Sequence, residues 1–101
     1  ILVDPVLTTG FPASLMMKPF KGTDIYSPED IPEVDYLIIT HDHYDHLDYG
    51  TVKAIRDKVD KVICPLGVGE HLEYWGYSAE KIVEMDWNEV YTSEPGFRIT
   101  C

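Results

Sequence analysis

The order of apolar and polar positions divides this chain into short strands and helices separated by breaks at proline and glycine. Ile1-Leu2-Val3 reads as the end of a buried strand, closed by Asp4-Pro5 because a residue before proline avoids the helical region. From Val6 to Thr23 neither a helical nor a strand period holds, and Gly10, Pro12, Pro19 and Gly22 mark a long loop. Loops of that length in compact domains are often functional. Ser27-Pro28-Glu29-Asp30 combines a serine cap, a proline at the first helical position and an acid three residues after the cap, which predicts one helical turn. Tyr36-Leu37-Ile38-Ile39-Thr40 is the clearest strand, β-branched or aromatic and apolar on both faces, and is expected at the centre of a sheet. It runs directly into His41.

Asp48 can cap a helix extending to about Val59, with Val52, Ile55 and Val59 on one stripe and Lys53, Arg56, Asp57 and Lys58 facing water. Lys61-Val62-Ile63-Cys64 is a second strand, stopped by Pro65, so the order strand, helix, strand predicts a parallel crossover unit. Val68 to Trp75 suits a short helix with Gly76 as its stop, and Ser78 can cap another turn through Ala79-Glu80-Lys81. Ile82-Val83-Glu84 and Val90-Tyr91-Thr92 are brief strands, the second joined to Phe97–Cys101 by a tight turn at Ser93-Glu94-Pro95-Gly96. The expected fold is α/β, passing into antiparallel strands at the end.

Composition narrows the function classes. The chain has 101 residues, room for one domain, with 18 acidic side chains against 8 basic ones and a formal charge of −10. That balance excludes a grip on nucleic acid by clustered cations and disfavours an anionic membrane surface. With 45% hydrophobic and 26% charged residues, the composition is that of a folded domain. No apolar run approaches the roughly 20 residues of a transmembrane segment, no leader pattern is present, and a cytoplasmic location is expected. The two cysteines, Cys64 and Cys101, do not make a disulfide framework, and Cys64 is expected as a buried thiol. The chain starts and stops inside apolar runs, which suggests a piece of a longer protein.

The chemistry concentrates at one point. Three of the four histidines, His41, His43 and His46, fall within six residues and are interleaved with Asp42 and Asp45. In an extended segment residues two apart project to the same side, so His41 and His43 can hold one metal ion jointly, while Asp45 and His46 at the following turn can aim at a second. Imidazole and carboxylate ligands suit zinc first, with iron or manganese as alternatives. A lone histidine at a strand end is commonly a hydrogen-bonding group, but crowding this many titratable side chains costs desolvation and repulsion unless something binds there. His71 is expected on a helix surface. Tyr44, Tyr49, Trp75 and Trp87 could wall a pocket, although core packing is the expectation for each.

His41-Asp42-His43-Tyr44-Asp45-His46 fits the H-x-H-x-D-H signature and resembles the metallo-β-lactamase superfamily. The wider stretch Thr40 to Tyr49, THDHYDHLDY, is similar to one branch, the N-acyl-phosphatidylethanolamine-hydrolysing phospholipase D family. Asp4-Pro5-Val6, Cys64-Pro65-Leu66-Gly67 and Glu84-Met85-Asp86-Trp87 agree with that branch as well. The resemblance implies a partial metallo-β-lactamase fold, an αββα sandwich of which residues 1–101 are roughly the N-terminal half. It implies His41 and His43 as ligands of a first metal and Asp45 and His46 as ligands of a second. Asp45 would also orient the attacking water, and Asp4 would support the metal loop through hydrogen bonds. The remaining ligands of the family come from later motifs, beyond Cys101. The implied activity is hydrolysis of a lipid or small-molecule phosphodiester by water activated between two zinc ions. Lactone or other ester hydrolysis, iron-based redox chemistry and a non-catalytic half-domain are the alternatives. The 101-residue piece by itself is expected to be inactive and to self-associate through exposed sheet faces.

Overall fold

The computed structural model describes residues 1–8, 20–22, 25–93 and 95–101. Four strands, β1 (Leu2–Val3), β2 (Val34–Ile38), β3 (Val59–Pro65) and β4 (Ile82–Met85), form a parallel sheet in that order. Parallel neighbours require crossovers, and two short helices, α1 (Tyr49–Ile55) and α2 (Val68–Tyr74), lie within the β2–β3 and β3–β4 connections. A hairpin of β5 (Val90–Thr92) and β6 (Arg98–Thr100) follows, in the antiparallel register the Pro95-Gly96 turn predicts. The α/β reading, with antiparallel strands at its end, is therefore what the chain adopts. Most of the loop expected from Val6 to Thr23, and Glu94 of the hairpin turn, lie outside the described residues.

Alternation along β2 explains the layering. Leu37 is fully buried on the helix side, against Val52, Ile55, Val62 and Leu72, each of which is also at 0% exposure. Tyr36 points to the opposite face, where it stacks on Phe97 at 4.3 Å and meets Tyr91 edge-on at 6.3 Å, so the hairpin lies against that side. The Tyr36 hydroxyl is also hydrogen-bonded to Ser93. Tyr77 closes the helix layer by donating its hydroxyl to the Val52 carbonyl at 2.8 Å. Among the described residues no helix is long and apolar enough to cross a membrane.

Three local expectations are corrected. Among the described residues β1 pairs with β2 alone, and Ile1 and Val3 are exposed rather than buried. The first helix ends at Ile55, continues as a 3-10 turn over Arg56–Lys58, and Val59 opens β3 opposite Val34. Val59 is buried in either state, so its periodicity cannot separate the two, and its β-branch favours the strand. Lys58 does not face water: its ammonium donates to the carbonyls of Pro28, Glu29 and Ile31 at 3.1, 3.0 and 2.7 Å, pinning the Pro28–Asp30 turn. That turn is the one predicted, with the Ser27–Asp30 capping box in place.

Candidate metal centre

The C-terminal ends of neighbouring parallel strands are where open α/β sheets place their ligand sites, and here β1 and β2 end side by side. Asp4 follows β1 with its amide bonded to the Ile38 carbonyl at 3.0 Å and its backbone at φ +41°, in the left-handed region that aspartate and asparagine tolerate better than most residues. That turn brings the carboxylate over the end of β2. Oδ1 accepts from the Thr40 amide at 2.8 Å, and Oδ2 accepts from the Thr40 hydroxyl at 2.6 Å and from His46 Nδ1 at 3.0 Å. Burial alone would push the Asp4 carboxyl up, but the Thr40 hydroxyl, the Thr40 amide and His46 together hold it below the usual aspartate value.

The proton count then fixes the imidazoles. A threonine hydroxyl has one proton, and Thr40 gives it to Asp4, which as a carboxylate can only accept. The 2.9 Å bond between Thr40 Oγ1 and His41 Nδ1 must therefore be donated by His41. His46 Nδ1 donates to Asp4 for the same reason. In the neutral imidazole this places the proton on Nδ1 and leaves the Nε2 lone pair for an electrophile, which is how outer hydrogen bonds prepare metal-ligating histidines.

The loop after His41 folds back instead of continuing the strand. The amides of His46 and Leu47 bond to the His43 carbonyl at 2.8 and 2.7 Å, and Asp48 caps α1 by accepting from the Thr51 amide at 3.2 Å. The turn sets the His46 ring 4.0 Å from that of His41, with the His43 ring 4.7 Å from His41. Asp45 Oδ2 lies 4.0 Å from His46 Nε2. Ligand-capable atoms of Asp4, His41 and His46 fall within 4.8 Å of one another, and His43 and Asp45 flank that group. Asp4 accepts three hydrogen bonds, which suits a positioning role better than direct ligation. The donor set of imidazole nitrogens with a carboxylate fits zinc or iron.

A second network, not read from the sequence, anchors this loop from below. Buried Asp48 accepts at Oδ2 from the amide and hydroxyl of Thr51 and from the amide and hydroxyl of Thr8, while Thr51 Oγ1 also accepts from the Leu7 amide at 2.8 Å. Asp48 is predicted only as a helix cap; its link to residues forty positions away has no local signal. Thr40 is likewise visible in sequence only as the last residue of a strand.

An open cleft of about 530 Å³ lies beside the cluster, with Thr40, His41 and Asp42 on one wall and Leu66, Val68, Met85 and Trp87 on the other. Core packing is overturned for most of the aromatic residues: Trp87 is 84% exposed at this cleft, and Tyr44 and Tyr49 are 50% and 47% exposed. Tyr44 and Trp87 project from loops, and Tyr49 stands at the first position of α1, against Trp75. Trp75 alone packs partly against the core. His71 is exposed on α2, as predicted, and stacks on Trp75 at 6.0 Å.

A family model described as "Beta-lactamase superfamily domain" matches residues 1–101. An uncharacterized protein of Mycobacterium tuberculosis is 50% identical over 60 residues, 58% of this chain and 16% of that protein. N-acyl-phosphatidylethanolamine-hydrolyzing phospholipase D 1 of Caenorhabditis elegans is 34% identical over 80 residues, 69% of this chain and 22% of that enzyme. Among solved structures, a diiron beta-hydroxylase from Streptomyces venezuelae superposes with a TM-score of 0.64 and 31% identity, over 91% of this chain and 18% of that one. The chain thus spans less than a quarter of the length of each of these relatives and corresponds to part of their fold. On the full-length family match and these similarities, the chain belongs to the beta-lactamase superfamily.

Proposed function

We propose that the full-length protein is a metal-dependent hydrolase that cleaves a phosphodiester in the manner of a phospholipase D, with residues 1–101 as the N-terminal part of its catalytic domain. In this reading His41 and His43 hold one divalent ion and Asp45 and His46 a second, zinc being the first choice. The observation that carries it is the chain of hydrogen bonds from Asp4 through Thr40 to His41 and from Asp4 to His46, which turns the Nε2 atoms of two adjacent neutral imidazoles away from Asp4 and Thr40, with His41 on the wall of the cleft. When bound, the ions acidify water and neutralise charge on the attacked ester. The protein's own groups do the rest. Asp4 and Thr40 hold the imidazoles against rotation. Asp45 accepts a hydrogen bond from the attacking water and orients it. The apolar wall of Leu66, Val68, Met85 and Trp87 takes up the apolar part of a lipid substrate. Similarity to the nematode phospholipase favours phosphorus as the electrophile. Both cysteines are free, in keeping with a reducing, cytoplasmic setting.

The test is hydrolysis of N-acyl-phosphatidylethanolamine and of a chromogenic phosphodiester by the full-length protein, before and after chelation. Zinc-dependent release of phosphatidic acid is expected, with Asp45→Asn lowering kcat by about a hundredfold or more. Absence of phosphodiester turnover in metal-loaded protein would overturn the reading. The diiron hydroxylase supports a second one, in which iron and oxygen oxidise the substrate; iron-dependent oxygen consumption without phosphodiester cleavage would select it. For the 101-residue piece alone, we propose no turnover and self-association through exposed apolar residues such as Ile1, Val3 and Val90. A purely monomeric profile on gel filtration would contradict the second point.

A further inference from the structure

A smaller cavity, of about 210 Å³, opens between the histidine loop and the two helices. It is lined by Asp42, Tyr44, Asp48, Tyr49, His71 and Trp75. Tyr49, the first residue of α1, and Trp75, just past the end of α2, meet edge to face, with centroids 5.1 Å apart and planes at 71°. They therefore form a corner of two nearly perpendicular walls. This corner already shows its preference: the Lys53 ammonium lies 5.0 Å from the centroid of the Tyr49 ring while bonding the Tyr49 hydroxyl at 2.7 Å. Lys53 is not one of the cavity walls, and among the described residues no lysine or arginine lines it.

The lining itself has acidic and aromatic residues and no lysine or arginine, Lys53 touching Tyr49 from outside it. Aromatic faces are electron-rich, Trp most of all, and attract a cation within about 6 Å of the ring centroid. Asp42, an exposed residue of the lining, supplies a carboxylate, and the chain as a whole carries −10. The volume is below the roughly 300–1,000 Å³ of pockets for drug-sized ligands, so the cavity suits a headgroup. Asp42 also borders the cleft beside His41, so a molecule in that cleft has this cavity within reach.

We propose that this cavity binds the ammonium group of a small organic amine, held by Tyr44, Tyr49 and Trp75 and neutralised by Asp42. None of the residues named to hold the ammonium is one of the four proposed metal ligands, and the test is made on metal-free and metal-loaded full-length protein alike. Choline is titrated calorimetrically at low ionic strength, against 3,3-dimethylbutan-1-ol, which has the same shape without the charge. Saturable choline binding is expected in both protein forms, about tenfold or more tighter than the alcohol. Asp42→Asn and Trp75→Leu are each expected to weaken it about threefold or more. Trp75 contacts the core, so Tyr44→Leu, at an exposed position, provides the same comparison if the Trp75 variant fails to fold. Unsaturable choline binding, equal binding of the alcohol, or affinity unchanged in both Asp42→Asn and Tyr44→Leu would overturn the proposal.

Discussion

Replacing Asp4 by asparagine isolates the charge on which the histidine geometry depends. Asparagine has nearly the same shape and tolerates the left-handed backbone at φ +41°, so the turn after β1 should survive. Its amide oxygen can keep the bond from the Thr40 amide. The amide nitrogen, however, brings donors to the place where Thr40 Oγ1 and His46 Nδ1 both donate now. Thr40 must then turn its proton toward His41 Nδ1, and His46 Nδ1 must become an acceptor. Both rings are driven to the tautomer with the proton on Nε2, which removes the two lone pairs offered for metal. Loss of such an outer hydrogen bond typically lowers metal affinity about 10–100-fold, or about 1.4–2.7 kcal/mol. Exchanging charge-assisted for neutral bonds costs a similar amount of stability, about 1–3 kcal/mol. The assay is a zinc competition titration of the full-length variant with a chromophoric chelator, paired with long-range proton–nitrogen correlation spectra of the metal-free imidazoles. Wild type should show His41 and His46 protonated on Nδ1, and Asp4→Asn on Nε2 with at least tenfold weaker zinc binding. Zinc affinity within twofold of wild type, or Nε2 protonation already present in wild type, would refute the reasoning.

Asp48→Ala removes the cap of α1 and strands the buried Thr51 hydroxyl; a cap costs about 0.5–2 kcal/mol and a buried unpaired group about 1–3, so a loss of roughly 2–4 kcal/mol is expected by denaturant unfolding. Tyr77→Phe deletes one buried bond to the Val52 carbonyl, and about 1 kcal/mol should be lost in the same measurement. Burial pushes the Cys64 thiol up to about 12, so the folded protein resists its ionisation. A raised folded pKa contributes stability that is complete below the unfolded thiol value and is lost as pH rises toward 12. The stability of wild type relative to Cys64→Ala should therefore fall through the alkaline range, and a thiol reagent at neutral pH should label Cys101 but not Cys64. A pH-independent difference, or equal labelling of both thiols, would count against this account of Cys64.

The parts legible in the sequence are those with a local cause. β2 and β3 announce themselves because strands buried between neighbours are apolar on both faces, and the Ser27 turn because its cap and acid are three residues apart. The histidine loop is legible because few other arrangements concentrate those side chains at a strand end. What local pattern does not carry is the partner across the fold. Lys58 looks like a solvated helix residue until the carbonyls of Pro28, Glu29 and Ile31 are brought beneath it. Asp4 looks like a stop before proline, and only the pairing of β1 with β2 puts it over Thr40 and His46. Tyr44, Tyr49 and Trp87 have core-forming side chains, but their exposure is decided by which way their loops and helix face. End positions such as Val59 stay ambiguous because burial there satisfies two periods at once.

The central claim, that His41, His43, Asp45 and His46 hold two divalent ions, is tested most directly by counting metal. Full-length protein loaded with zinc and freed of excess should carry two ions per chain by elemental analysis, in keeping with a two-metal hydrolytic site. His43→Ala and His46→Ala should each lower that number without unfolding the chain. A stoichiometry near zero in loaded wild type, unaltered by His43→Ala, would contradict the account.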